Sequence, residues 1–134
     1  MIYIAKKLFE EMIEHSKREF PNEACGILSG SQGRVTRVYE MTNSDKSPET
    51  FFMDPREQLK VMKDIRNRSE EMLGIYHSHV ASEAYPSSHD VELALYPEVS
   101  YVIISIKDKN NPSVRSFKIV EGKIREDEVK IVDG

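Results

Sequence analysis

The sequence predicts an α/β fold: a mixed β-sheet flanked by helices. Three observations lead there. Helical and extended patterns alternate in the order helix, hairpin, strand, helix, strand, helix, strands. Val99-Ser100-Tyr101-Val102-Ile103-Ile104-Ser105-Ile106 is apolar enough for a central strand covered on both faces. The 134 residues suit one domain, 1–134, which can bury roughly 68% of its unfolded surface without a disulfide.

Met1 to Ile4 reads as a short edge strand. Ala5, Leu8, Phe9, Met12, Ile13, Ser16 and Phe20 then recur at helical spacing, with Lys6, Lys7, Glu10, Glu11 and Glu14 opposite, until Pro21 ends the helix. His15 within it is expected on the solvated surface. Cys25 to Gly30 and Gly33 to Met41 form two arms of a hairpin around a Gly-Ser-Gln-Gly turn. Thr42 to Thr50 is a polar loop, and Phe51-Phe52-Met53 a short strand. Asp54-Pro55-Arg56-Glu57 starts a helix, with a capping aspartate and proline at the first position. Its inner stripe is Leu59, Met62, Ile65, Arg66, Ser69 and Met72, where methionine fills core gaps. Leu73 to Tyr76 is a buried strand, Val80 to Pro86 a loop, and Ser88 to Tyr96 a short helix stopped by Pro97. Ser113 to Val120 and Lys123 to Val132 are joined across Glu121-Gly122 as a terminal hairpin.

Composition narrows the function. The formal net charge is −4 with both signs interspersed, which argues against general nucleic-acid binding. No apolar run approaches the ~20 residues of a membrane span, and the N-terminus carries no signal-peptide pattern. A single cysteine, Cys25, suits a reducing compartment, so the expected setting is the cytoplasm, with no membrane partner.

The chemistry gathers at Tyr76-His77-Ser78-His79 and, after ten intervening residues, Asp90. Residues two apart on a strand share a face, so His77 and His79 project together while Ser78 turns away. Two imidazoles from a rigid strand make half of a zinc site. The rest is an anionic third ligand and an open position for water. Asp90 supplies that ligand if the loop through Pro86 folds back. His89 adjoins it, but neighbours on a helix do not share a face. Each residue has a plainer reading: strand-end histidines are commonly surface groups, and Ser87-x-x-Asp90 is a capping-box pattern. Their coincidence is what carries weight, and cap and ligand roles are compatible at a helix N-terminus.

These residues, with Glu23 in Asn22-Glu23-Ala24-Cys25-Gly26-Ile27-Leu28, resemble the JAMM (MPN-plus) metalloprotease signature over nearly the whole chain. Val80 stands where the family usually has proline. The resemblance implies a cytidine-deaminase-like fold, one catalytic Zn2+ held by His77, His79 and Asp90, Glu23 as general base, and Ser87 stabilising the oxyanion. It implies cleavage after the C-terminal Gly-Gly of a ubiquitin-like protein. Without the inserted segments of eukaryotic deubiquitinating members, the chain is similar to the short prokaryotic branch, which removes an extension or a cysteine adduct from sulfur-carrier proteins. Phe51, Phe52 and the Val80–Tyr85 loop are candidate walls of a narrow diglycine groove; a homodimer stays open. The alternative is a non-catalytic MPN scaffold, whose members typically have lost ligands. A reactive Cys25 thiol is conceivable, since it shares strand parity with Glu23, but a zinc hydrolase needs none. A zinc deaminase needs a second cysteine motif, and a thermolysin-like site needs H-E-x-x-H; neither is present.

Overall fold

Eight strands and three helices make up the computed structural model, which describes residues 1–133: β1 Ile2–Ala5, α1 Lys6–Glu19, β2 Cys25–Ser31, β3 Arg34–Met41, α2 Pro55–Asn67, β4 Glu71–His79, α3 Ser88–Glu92, β5 Ser100–Ser105, β6 Ser113–Val120, β7 Lys123–Asp127 and β8 Val129–Val132. The sheet order is β7-β6-β5-β4-β2-β3-β1-β8. It is mixed: β4 and β5 run parallel, as do β1 with β3 and with β8, while the remaining neighbours are antiparallel. The expected mixed sheet with flanking helices is what forms.

Alternation along the strands sorts the apolar residues onto two faces. Ile27, Ile75, Tyr101, Ile103 and Phe117 join Ile65 of α2 and Val91 of α3 in one core. Leu28, Tyr76, Val102 and Ile104 join Met12, Leu8 and Phe9 of α1 in the other. Every residue of β5 is buried, as its composition predicts for a central strand. The β2–β3 turn places Gln32 and Gly33 at φ 51° and 75°, the pair of positive values that a two-residue hairpin demands and glycine supplies most cheaply.

Several local expectations are corrected. β1 is no edge strand, because β3 and β8 pair with it on both sides. Lys123 to Val132 is two strands, not one arm of a hairpin. β7 pairs with β6, and after Glu128 the chain joins β1 at the far side as β8. Consecutive strands therefore lie at opposite ends of the order, so the sheet curls until its edges approach. The Met1 amino group closes that seam with a 2.6 Å ion pair to Asp127. Phe51–Met53 is not a strand; among the described residues its pairing is limited to the bridge Asn43–Met53. α3 ends at Glu92 rather than Tyr96, where the Leu93 N–H turns back to the carbonyls of His89 and Val91. The inner stripe expected for α2 is only partly inward: Leu59 is 54% exposed, Arg66 and Ser69 are exposed, and Met72 belongs to β4.

His15 is also corrected. It is buried, and its Nδ1 lies 2.7 Å from the Tyr76 hydroxyl. The Tyr76 ring crosses Gly26 so closely that a Cβ there would stand 2.1 Å from it. Because the large side chain is drawn to the α1 face, the histidines on either side of Ser78 are presented to the other.

Candidate metal centre

β4 carries two ligand-type side chains to the end of a buried strand: His77 and His79 are 2% and 4% exposed. The Val80–Pro86 loop then returns. It is held by the Ser105 hydroxyl donating to the Ser82 carbonyl at 2.6 Å and by the Ile106 N–H donating to the His79 carbonyl at 3.0 Å. Ser87 caps α3: its Oγ accepts from the Asp90 N–H at 3.1 Å, and Asp90 Oδ2 accepts from the Ser87 N–H at 2.9 Å. The cap thus fixes the Asp90 carboxylate in the first helical turn, facing the histidines. His89 stays outside the cluster.

His77 Nε2, His79 Nε2 and Asp90 Oδ2 stand 3.1 Å from one another. Donors held about 2.1 Å from one tetrahedral ion are separated by roughly 3.4 Å, close to this triangle. Hydrogen bonding alone accounts for it poorly. His79 Nδ1 lies 2.8 Å from the Glu83 carbonyl, which can only accept, so the ring proton sits on Nδ1. In a neutral ring, Nε2 then aims a lone pair at carboxylate oxygen and at His77. Either a proton or a cation must intervene, and a histidine anchored through its other nitrogen to a carbonyl is the usual support of a metal ligand. Asp90 Oδ1 and Glu23 Oε1 are buried without partners. The residues fit a divalent ion.

Electrostatics favour the ligand state at two of the three donors. Burial pulls the His77 imidazole below its ordinary value against the pull of Asp90. For His79, burial is outweighed by the hydrogen bonds to Asp90 and the Glu83 carbonyl, and its value rises. Burial also opposes charge on Asp90, but the two histidines hold it well below the usual carboxylate range. A neutral His77 and an ionised Asp90 are the states a metal takes up with least cost, whereas at His79 a metal would have to displace the proton that its neighbours favour.

Glu23 comes to this cluster through strand register. Cys25 pairs with His77. One step back, Ala24 and Ser78 are bonded twice, the Ser78 N–H donating to the Ala24 carbonyl at 3.0 Å and the Ala24 N–H donating to Ser78 Oγ at 2.8 Å. Glu23 therefore lies against His79, and it is 2% exposed. Its backbone is held by the Ser47 carbonyl and by the Asn43 amide, leaving the carboxylate unpaired. Burial pushes that carboxyl up to about 8; His79 opposes the shift and Asp90 adds to it. A carboxyl raised from 4.5 stabilises the fold below that pH and loses the contribution as pH climbs through about 8. Metal-free Glu23→Gln protein is therefore expected to melt above the wild type at pH 8, with the gap closing toward pH 4.5. Thermal melts in chelator check this; a gap of the same size at both pH values contradicts it.

Cys25 is the small buried cysteine that a zinc hydrolase leaves unused, and the alternative of a reactive thiol finds no support. Burial pushes the thiol up to about 12, so it is inert at neutral pH. Asn43 is the residue that pattern reading missed. Buried at 4% exposure, it donates to the Glu23 and Thr50 carbonyls and accepts from the Asp45 and Phe52 N–H groups. It ties the Glu23 backbone to the segment whose Phe51 ring stacks on His77 at 4.5 Å. An asparagine in a polar loop carries no signal of this. Phe51 and Phe52 do line a cavity beside the centre, whereas none of the Val80–Tyr85 residues lines it.

A family model describing prokaryotic homologs of the JAB domain matches residues 5–120. The CysO-cysteine peptidase of Mycobacterium tuberculosis is 41% identical over 99% of this chain and 92% of its own. A desampylase from Pyrococcus furiosus is 37% identical over 82% of this chain and 75% of its own. A solution structure of a Desulfitobacterium hafniense protein superposes with a TM-score of 0.91 at 44% identity, covering all of this chain and 94% of that one. The chain belongs to the prokaryotic JAB-domain family, and in its fold His77, His79 and Asp90 form a cluster that could hold a metal ion. Among the described residues, no helix is long and apolar enough to cross a membrane.

Proposed function

We propose that the protein is a zinc-dependent peptidase or isopeptidase that cuts after the C-terminal Gly-Gly of a ubiquitin-like or sulfur-carrier protein. The observation that carries this is the closed triangle of His77, His79 and Asp90 with an unpaired, buried Glu23 carboxylate beside it. The substrate class rests on the family and on relatives called a CysO-cysteine peptidase and a desampylase.

His77, His79 and Asp90 would hold the zinc ion, which when bound would supply Lewis-acid polarisation of a carbonyl and water activation near neutral pH. Glu23 Oε1, which the charge of a bound ion would hold ionised against its burial, would take a proton from the attacking water and pass it to the leaving nitrogen, a role worth ~10²–10⁴ in rate. The scissile C–N bond breaks, the acyl carbon keeps the hydroxyl, and the amine keeps the proton. Ser87 Oγ already accepts the Asp90 N–H, so its own O–H is free to donate to the developing oxyanion. Phe51, stacked on His77, keeps water from that flank.

Ser87→Ala is expected to lower kcat by about 10²–10³ while retaining zinc, placing it between loss of a ligand and the wild type. Steady-state kinetics with metal analysis checks this; full activity would remove Ser87 from the mechanism. The reading as a whole is tested with a sulfur-carrier protein extended past its diglycine, with and without chelator. Chelator-sensitive cutting after the second glycine, restored by zinc, is expected. Cutting that ignores the chelator would refute a metal mechanism.

A further inference from the structure

Beside the metal centre, on the sheet face that carries His77, lies a cavity of about 200 Å³. His77 and Asp90 form part of its wall, so whatever enters it adjoins the reacting groups. Ile75, Ile103, Ile119 and Leu93 supply much of the rest. Its other polar residues are uncharged and bonded among themselves: the Gln58 amide donates to the Tyr96 hydroxyl at 3.3 Å, and the Tyr101 hydroxyl accepts the Tyr96 N–H at 3.0 Å. No unpaired charge is offered beyond the two metal-ligand residues. Two further lining side chains, Phe52 and Leu95, are 46% and 74% exposed, and apolar side chains left open to solvent around a cavity mark a binding site.

Resting on the proposed cleavage after Gly-Gly, we infer that this cavity is the pocket for the first residue of the leaving group and that it selects a large apolar side chain. The two residues on the acyl side are glycines and have nothing to put there. The next side chain beside the scissile bond belongs to the residue that departs. An apolar cavity of roughly 150 Å³ suffices for a benzene molecule, so this one accommodates a leucine or phenylalanine side chain, whereas a cysteine leaves most of it empty. Neutral paired walls disfavour lysine and arginine, whose charge would be desolvated without a partner.

The test uses ubiquitin and a bacterial sulfur-carrier protein, each extended beyond Gly-Gly by one residue: glycine, cysteine, lysine, leucine or phenylalanine. The zinc-loaded wild type is expected to cleave the leucine and phenylalanine forms with kcat/KM about 10- to 100-fold above the glycine form. In Leu93→Trp, whose indole occupies the cavity, that ratio falls toward one. A flat profile, a preference for cysteine or lysine, or a preference that follows the residue before the diglycine would overturn the inference while leaving diglycine cleavage intact. Absence of chelator-sensitive cleavage for every substrate would instead refute the proposed function. A second measurement is independent of turnover and of the variant's folding. In wild-type protein, leucinamide is expected to shift the Ile75, Ile103 and Ile119 methyl resonances and glycinamide to leave them in place; equal responses would overturn the pocket.

Discussion

His77→Ala and Asp90→Ala proteins are expected to lose zinc and turnover together. Each donor lies 3.1 Å from the other two and is almost wholly buried. Removing one leaves two ligands, too few for tight binding, and opens a small cavity rather than a replacement donor. Removing Asp90 also strips the carboxylate that accepts the Ser87 N–H, the reciprocal half of the capping box on α3, while Ser87 Oγ keeps its bond from the backbone N–H at position 90. Activity is expected to fall below detection in both, with the fold retained, because β4 and β5 are anchored by the apolar cores on either face. Metal analysis after dialysis, circular dichroism and the cleavage assay read the three quantities. A folded His77→Ala protein that kept stoichiometric zinc and activity would show the ion to be elsewhere.

Glu23→Gln separates binding from chemistry. Its carboxylate makes no hydrogen bond and is not among the mutually close donors, so zinc affinity is expected to change little. The amide is nearly the same shape but cannot carry a proton from water to amine. A fall of ~10²–10⁴ in kcat is expected, with KM close to that of the wild type. Glu23→Asp tests reach: it keeps the charge on a shorter arm, and intermediate activity is expected. Full turnover in the glutamine variant, with zinc bound, would exclude Glu23 as the base.

How much of this was legible before folding differs from residue to residue, for physical reasons. His77 and His79 were readable because strand parity is a local property, and the apolar Leu73 to Tyr76 announced the strand. Asp90 was readable because the capping pattern that places it is also local. Glu23 was not readable from local rules. Its approach to His79 is made by β2–β4 register and the Ala24–Ser78 bonds, and only the family resemblance pointed to it. The same limit explains Asn43, whose partners span Glu23 to Phe52, and His15, whose partner Tyr76 is sixty-one positions away. Amphipathic spacing leaves His15 off the inner stripe and so predicts a solvated residue, because no local pattern shows that a tyrosine hydroxyl waits for it. β8 was misjudged because alternation in Lys123 to Val132 is the same whether the strand extends β7 or joins β1. The open edge of β1 decides it, and no local pattern records that edge.

The proposed chemistry requires one ion shared by His77, His79 and Asp90, with Glu23 beside the ion but unbound. Zinc-edge X-ray absorption on the loaded wild type and Glu23→Gln proteins measures this most directly. One zinc per chain, with two imidazole nitrogens, an oxygen-only remainder and the same spectrum in both proteins, is the predicted result. A sulfur ligand from Cys25, a single imidazole, or a ligand shell that changes on replacing Glu23 would contradict it.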